Sequence, residues 1–299
     1  MHRRRVVTSA SQTSVERLWW AAHQAWWMPG WAWFQIAAVV LGGLLVWRKR
    51  LVVPYASGVV LAVLGAVALG SAGEWIRWLD RGARGPIPEL EIAGFGALAG
   101  LVVGHVLVAR ARGITMARAL DGLAPSVSAM IAVARIGCFF AGCDFGTPAR
   151  LPWALRYPPM TPAFRAQLDA GLLQGGATST LPVHPTQLYE ALLGAVVLVA
   201  ALALRSPRRE GDRFALVVLI YAAGRIVVDV FRGDLAHGGA LGLTTTQGLA
   251  LALVGLVVAW RANARTTATA DAAIASGLPR AGPPSSPESR RSTRPTASS

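Results

Sequence analysis

Long apolar runs alternate with short polar segments along most of the chain. Each run approaches the roughly 20 residues that an α-helix needs to cross the hydrocarbon core of a bilayer. The pattern predicts an all-α polytopic membrane protein with seven transmembrane helices and an external arm. The predicted spans are residues 31–47, 51–72, 91–109, 121–141, 187–204, 214–231 and 243–260.

Three regions interrupt or flank this seven-helix domain, which is expected over residues 29–261. Residues 1–28 contain two tryptophan pairs, which are typical of a segment that lies at a membrane interface. Residues 142–186 form a long loop whose aromatic content favours an ordered external arm over the active region. Residues 262–299 have no apolar periodicity and predict a disordered cytoplasmic tail.

Composition supports the membrane prediction and indicates an orientation. The chain is 54% hydrophobic and 15% charged, whereas a soluble domain has about a quarter charged residues. The net charge of +14 comes largely from short loops beside the spans and from the tail, so nucleic acid is not an expected partner. The basic loops follow the first, third, fifth and seventh spans, which predicts an external amino terminus and a cytoplasmic carboxyl terminus.

Four charged residues lie within one band of the predicted spans, at membrane depth, where charge is costly and therefore indicates function. At about 1.5 Å per residue, Arg135 and Asp229 lie roughly 22 Å from the cytoplasmic side of the ~30 Å hydrocarbon core. Arg225 lies at roughly 16 Å by the same count, and Glu190 enters from the outer side. We therefore expect these four side chains to gather in the outer half of the membrane.

Residue spacing places several of these groups on one helix face. Tyr221, Arg225 and Asp229 are four residues apart, and Arg232 is expected to extend that face to the outer surface. Arginines with nearby carboxylates suit a phosphate-bearing ligand, because guanidinium binds phosphate through paired hydrogen bonds. The alternative is that Arg225 pairs with Asp229 or Glu190 only to hold the helices together.

Three regularly spaced glycines in the third predicted span indicate close helix packing. Gly96, Gly100 and Gly104 form a small-xxx-small pattern, which lets two backbones approach each other. His105 lies on the same span and is expected to be an interior histidine rather than a catalyst.

Cys138 and Cys143 are the only cysteines in the sequence. Two cysteines are too few for a disulfide framework or a four-cysteine metal site. Five residues apart at a helix end, they predict small apolar packing. A redox pair is the alternative if the helix breaks near Gly142.

Residues 184–190 read His-Pro-Thr-Gln-Leu-Tyr-Glu, which is one of four segments with a recognisable motif. It is similar to the His-Pro-Ser-Gln-Leu-Tyr-Glu of the bacterial prolipoprotein diacylglyceryl transferases, and all four segments resemble that family. The segments cover roughly residues 120–250 in the family's order, and the seven-span topology also fits. They are residues 121–125 with 134–146, residues 184–190, residues 221–229 with 231–234, and residues 243–247.

The resemblance implies an activity and a location. The family moves a diacylglyceryl group from phosphatidylglycerol to the lipobox cysteine of a lipoprotein precursor, and glycerol phosphate leaves. It implies membrane lipid and the prolipoprotein signal peptide as partners in the bacterial cytoplasmic membrane, and no metal or organic cofactor. The alternative is a catalytically silent relative that binds phospholipid or lipoprotein precursors without transfer.

The resemblance also implies roles for individual residues. Arg135 and Arg225 would hold the lipid phosphate and stabilise the departing charge. Tyr221 and Gly146 would line the cavity. The residues implied in catalysis are Arg135, Arg225, Asp229 and His184, and those implied in substrate binding are Arg135, Arg225, Tyr221, Gly146, Glu190, Tyr189 and Gln187.

Several positions depart from the family pattern. Phe95 stands where the family has a histidine, Cys138 replaces an asparagine, and Cys143 replaces a glutamate. A different group must then deprotonate the substrate thiol if the chain is active, since loss of a general base costs about 10²–10⁴-fold in rate. The candidates are Asp144, His184 and Asp229.

Overall fold

The computed structural model describes residues 14–47, 50–80, 82, 94–174, 176–204, 208–233 and 243–275. These residues form eight helices, which confirms the all-α prediction for this part of the chain. The chain divides into two compact units, Met1–Val254 and Gly255–Ser299, and the contacts below lie within the first. The helices are α1 (Ser14–Trp47), α2 (Val52–Asp80), α3 (Gly94–Ala111), α4 (Met116–Ala141), α5 (Pro162–Asp169), α6 (Thr186–Ala203), α7 (Asp212–Asp229) and α8 (Thr245–Ala275).

The helices have the length and the apolar exterior of a membrane protein. Within the described residues, three segments are long and apolar enough to cross a bilayer, and two more are apolar but shorter. Large apolar side chains face outward, as Leu192 and Val199 do at 66% exposure each. So extensive an apolar surface indicates a lipid environment. The three long segments are Val52–Leu69, Met116–Ala141 and Thr186–Ala203, and the shorter ones are Trp31–Trp47 and Gly96–Ala111.

Several helices extend beyond the predicted spans, and α1 and α8 extend furthest. Helix α1 begins at Ser14, within the predicted interfacial segment. Helix α8 continues to Ala275, so the prediction of a disordered tail is wrong for residues 262–275. Half of those residues are alanine, the strongest helix former, and this propensity outweighs the missing apolar periodicity. The rest of the predicted tail, residues 276–299, lies outside the described part of the chain.

Helix α4 is central in the first unit and packs against α1, α3, α6 and α7. His105 of α3 is fully buried, with Nε2 3.1 Å from the carbonyl oxygen of Ala119 in α4. The structure therefore confirms that His105 is an interior residue.

Helices α2 and α3 pack through the glycines that the sequence singled out. A Cβ atom at Gly96 would collide with the carbonyl group of Gly65, and one at Gly100 would collide with that of Leu61. Such backbone contact is possible only without side chains at these positions. The predicted close packing is confirmed.

The segment between α4 and α6 is an ordered arm. It contains α5, which Thr161 caps by accepting a hydrogen bond from the backbone N–H of Phe164 at 3.3 Å. Leu155 and Val183 exchange backbone hydrogen bonds of 2.9 and 3.1 Å, so two distant parts of the arm are joined. Its core consists of Phe145, Tyr157, Ala163 and Val183. These contacts lie within the described parts of the arm, residues 142–174 and 176–185.

Candidate active site

Three arginines and three carboxylates meet at one end of the helix bundle. This end combines the carboxyl-terminal ends of α4 and α7 with the amino-terminal end of α6. We call the cluster the arginine–carboxylate network. Its members are Arg135 of α4, Asp144 of the arm, Glu190 of α6, Arg225 and Asp229 of α7, and Arg232 just after α7.

Glu190 is the centre of the network. Its side chain is fully buried and forms ion pairs with Arg135, Arg225 and Arg232. The pair with Arg232 joins Nη1 to Oε1 at 3.2 Å. A buried carboxylate is stable only when it is paired, and here three cations from separate parts of the chain share it.

Asp144 links two of the same arginines at the edge of the network. Its Oδ2 accepts from Arg135 Nη1 at 2.7 Å, and its Oδ1 accepts from Arg232 Nη2 at 2.6 Å. Burial alone would raise the pKa of Asp144, but the charges of Arg135 and Arg232 outweigh it and hold the pKa well below the usual range. Asp144 is therefore ionised at neutral pH.

Asp229 completes the network on α7. Its Oδ1 lies 3.0 Å from Arg225 Nε, one helical turn earlier. Its Oδ2 accepts a hydrogen bond from the hydroxyl of Thr244 at 3.3 Å. This contact confirms the predicted common face of Arg225 and Asp229. It also confirms the Arg225–Asp229 pairing that is required if the residues serve only to hold the helices together.

The network is formally neutral, since three guanidiniums face three carboxylates. The side chains of Arg135 and Asp144 are 24% and 25% exposed, whereas the other four members are almost completely buried. A ligand that enters from outside therefore meets the Arg135–Asp144 edge first. An anionic ligand must also compete with the carboxylate of Asp144 for the guanidinium of Arg135.

A close helix contact brings Glu190 to Arg135. A Cβ atom at Gly194 of α6 would lie 2.6 Å from the backbone nitrogen of Ala132 in α4. The glycine allows the two helices to touch, and one turn further along lie Glu190 and Arg135. Gly194 was not predicted from the sequence, because it has no polar group to mark it.

Gly146 holds the arm against the end of α7, and its predicted place in a cavity wall stays a prediction. A Cβ atom there would lie 2.5 Å from the Cβ of His184 and 2.8 Å from the carbonyl oxygen of Phe231. Backbone hydrogen bonds flank it, from Thr147 N to Phe231 O at 2.8 Å and from Gly233 N to Phe145 O at 2.9 Å. These bonds fix Asp144 and Arg232 beside each other.

The first turn of α6 holds the backbone that carries Asp144. The hydroxyl of Thr186 donates to the carbonyl oxygen of Asp144 at 2.6 Å. Gln187 is fully buried, and its Nε2 donates to the carbonyl oxygen of Cys143 at 2.5 Å. In this structure Gln187 thus positions the turn, and its predicted contact with substrate remains a prediction.

His184 and Tyr189 form a separate group on the arm side. His184 Nδ1 lies 3.2 Å from the hydroxyl oxygen of Tyr189, which also accepts from Trp153 Nε1 at 2.9 Å. The ring of His184 packs against Phe231, with centroids 4.9 Å apart. Partial burial lowers the pKa of His184 below its ordinary value of 6.5.

Tyr221 and Arg232 are two further residues that the sequence pattern placed near this site. Tyr221 is half-buried and its side chain interacts with Arg135, which places it beside the network. Arg232 lies just after α7 and is only 3% exposed. Its pairing with Glu190 and Asp144 draws the side chain inward.

A cleft lies at the opposite end of α4, away from the network. Its lining includes Arg118 and Asp121, some 15 residues before Arg135, and thus about 22 Å distant along the helix. Asp121 accepts hydrogen bonds from the backbone N–H groups of Gly211 and Phe214, at 2.7 and 2.8 Å. These bonds cap the start of α7, so we assign this region a structural role.

Comparison with known proteins identifies the family. The sequence profile described as prolipoprotein diacylglyceryl transferase matches residues 55–261, more than two thirds of the chain. Proteins named phosphatidylglycerol–prolipoprotein diacylglyceryl transferase are similar to it. The one from Clostridium tetani is 30% identical over 160 residues, which are 52% of this chain and 57% of that protein. The one from Paenarthrobacter aurescens is 33% identical over 185 residues, 60% of this chain and 57% of that protein.

A third relative, from Cutibacterium acnes, bears the same name and is 28% identical over 218 residues, 72% of this chain and 53% of that protein. The chain thus spans a little over half the length of these three relatives. The match to the family profile nevertheless includes every member of the arginine–carboxylate network. The chain belongs to the prolipoprotein diacylglyceryl transferase family.

Proposed function

We propose that this chain transfers a diacylglyceryl group from phosphatidylglycerol to the lipobox cysteine thiol of prolipoproteins. The observation that carries the proposal is the buried cluster of Arg135, Arg225 and Arg232, since guanidiniums suit a phosphate-bearing substrate. The names of the relatives support phosphatidylglycerol and a prolipoprotein as the two substrates. The reaction would occur at the outer face of the bacterial cytoplasmic membrane.

This location follows from a proposed topology of seven crossings, with the amino terminus outside and the carboxyl terminus in the cytoplasm. Helices α2, α4 and α6 support it by their length and apolar character. Helix α7 carries Arg225 and Asp229, and their pairing inside the bundle makes charge tolerable at membrane depth. In this orientation the network lies where a phospholipid headgroup and an exported precursor meet.

The phosphate would enter the network by exchange of partners. Asp144 is the accessible carboxylate, so the incoming phosphate displaces it from Arg135. Arg225 lies deeper and stabilises the charge that grows on the departing glycerol phosphate. Tyr221, beside Arg135, lines the same side of the site.

The chemical step joins sulfur to the glycerol carbon. The substrate thiol gives its proton to a base, the new carbon–sulfur bond forms, and the carbon–oxygen bond to phosphate breaks. The electron pair of that bond leaves with glycerol phosphate. No cofactor or metal takes part in this scheme.

His184 is the base that the geometry favours. Asp144 is a weak base because two arginines hold its pKa low, and Asp229 is buried between Arg225 and Thr244. His184 is partly accessible and, with a lowered pKa, neutral at physiological pH. In the tautomer whose Nδ1–H donates to Tyr189, its Nε2 is free to accept the thiol proton.

A transfer assay tests the proposed function directly. Purified full-length protein is incubated in phosphatidylglycerol vesicles with a lipobox peptide, and the peptide is analysed by mass spectrometry. We expect a thioether-linked diacylglyceryl peptide and release of one glycerol phosphate for each peptide modified. A peptide with serine in place of the lipobox cysteine should remain unmodified.

The same assay separates the enzyme from the silent relative. The replacement of the family histidine by Phe95 favours the silent alternative. Binding of peptide or phosphatidylglycerol without any lipidated product would refute the transferase proposal and support that alternative.

Replacement of His184 by glutamine tests the assigned base. We expect the wild-type transfer rate to rise with pH through an inflection below 6.5, because protonated His184 cannot accept the thiol proton. In the variant the rate should fall about 100-fold and the inflection should disappear. An unchanged pH profile in the variant would exclude His184 and return the role to Asp144 or Asp229.

A further inference from the structure

The end of α4 folds back so that the two cysteines meet. Gly142 adopts a left-handed conformation with φ of 74°, and its N–H donates to the carbonyl oxygen of Cys138 at 2.9 Å. This helix cap brings the following residue back toward the last turn. The Sγ atoms of Cys138 and Cys143 consequently lie within 4.8 Å of each other, and both thiols are free. The helix break that a redox pair requires is therefore present.

The two thiols differ in accessibility. Cys138 is buried at 9% exposure, whereas Cys143 is partly exposed. The more accessible thiol, that of Cys143, therefore meets an oxidant first, and the thiol of Cys138 resolves the product. The residue that follows Cys143 is Asp144, which itself has a positive φ of 54° and binds Arg135 and Arg232.

We propose that Cys138 and Cys143 form a reversible disulfide that controls the position of Asp144 in the arginine–carboxylate network. A disulfide of low molecular weight, or one carried by a protein, is the oxidant. The thiolate of Cys143 attacks one sulfur of the oxidant and releases one thiol. The thiolate of Cys138 then displaces the second thiol from the mixed disulfide. The protein loses two electrons and two protons, and the oxidant becomes two thiols.

The link to Asp144 is mechanical. Disulfide formation shortens the separation of the two sulfur atoms to about 2.05 Å. In the proposed disulfide Cys143 shifts toward Cys138. The peptide unit that joins Cys143 to Asp144, whose carbonyl oxygen binds Gln187, shifts with it and changes the position of Asp144.

A metal site is the competing interpretation of the same residues. Cys138, Cys143 and Asp144 lie close enough to share an ion. However, both carboxylate oxygens of Asp144 already accept from arginines. A cation bound there would sit beside two guanidiniums, so the geometry favours thiol chemistry.

The proposal is tested by counting thiols in the full-length protein. The protein is treated in vesicles with oxidised glutathione, denatured, alkylated with N-ethylmaleimide and weighed by mass spectrometry. We expect wild type to lose both alkylatable thiols and the mass of two hydrogen atoms, without a glutathione adduct, and dithiothreitol to restore both. The Cys138→Ser variant should instead carry glutathione on Cys143.

Three results would overturn the proposal. Two alkylatable thiols after oxidant would show that the cysteines only pack, and adducts on both would show that they do not reach each other. Protection of both thiols of reduced native protein by added zinc would show a metal site instead.

A second measurement tests the link to Asp144, and it rests on the proposed function. Oxidation of wild type should lower the transfer rate about tenfold or more, since small displacements in a preorganised site are costly. The Cys143→Ser variant, which lacks the attacking thiol, should be insensitive to the oxidant. Equal rates for oxidised and reduced wild type would refute the link. The thiol count needs no transfer, so the disulfide can be confirmed even if the proposed function fails.

Discussion

Replacement of Glu190 by glutamine should cause a large loss of stability. The side chain is fully buried and contacts Arg135, Arg225 and Arg232. The variant keeps the shape but leaves three guanidiniums with the carboxylates of Asp144 and Asp229. Breaking a buried pair in this way costs about 3–5 kcal/mol. Unfolding of the purified protein in mixed micelles, followed by circular dichroism, measures the loss.

Glu210 provides the matched control for this prediction. It pairs with Arg118 at 2.6 Å, but the two side chains are 41% and 70% exposed. An ion pair of this kind contributes about 0–1 kcal/mol, so Glu210→Gln should unfold close to wild type. Equal losses in the two variants would contradict the central role given to Glu190.

Phosphatidylglycerol should partly rescue Glu190→Gln, and this separates a ligand site from a purely structural cluster. An anion bound among the three arginines supplies the charge that the variant lacks, and binding to the folded state raises stability. Diacylglycerol, which has no phosphate, should not rescue. A cluster that serves only to hold helices together would respond equally to both lipids.

The composition of the network was largely predictable from sequence. Charged residues in apolar runs are rare, and the helical repeat assigns Arg225 and Asp229 to one face. The depth estimate placed Arg135 and Glu190 near the same level, and the ion pairs confirm that they meet. These inferences work because helix geometry converts sequence spacing directly into distance.

What escaped prediction depends on contacts between distant parts of the chain. Arg232 lies beyond the end of α7, where the helical repeat no longer fixes direction, and the carboxylates of Glu190 and Asp144 decide its burial. The close contacts of Gly146 with residues 184 and 231 were likewise not foreseen from the sequence. Neither contact has a local signature, because each depends on how the arm packs.

The neutrality of the network reconciles its structural and functional interpretations. Unpaired arginines would be very costly inside a membrane, so a phosphate site in that environment needs carboxylates when empty. Asp144 meets that need at the accessible edge, where an incoming anion can displace it. The pairing of arginines with carboxylates, which could serve only to hold the helices together, is thus also what an empty anion site requires.

Replacement of Arg225 by alanine should reduce lipid transfer by about 100-fold or more. Its guanidinium reaches both Glu190 and Asp229, and in the proposed reaction it stabilises the charge on the departing glycerol phosphate. Loss of one such preorganised donor costs about 10²–10³-fold in rate. Arg135→Ala should have a similar effect, because Arg135 meets the phosphate first. Both variants should fail to complement a bacterial strain depleted of its transferase.

Arg118 is the control for the arginine variants, because it lies on the same helix as Arg135 and also has a carboxylate partner. It is at the other end of α4, so Arg118→Ala should retain transfer close to the wild-type rate. The Arg225→Lys variant separates charge from geometry: lysine keeps the cation but lacks the planar pair of donors. Activity near wild type for Arg225→Lys would show that charge suffices, whereas activity near wild type for Arg225→Ala would remove the network from the reaction.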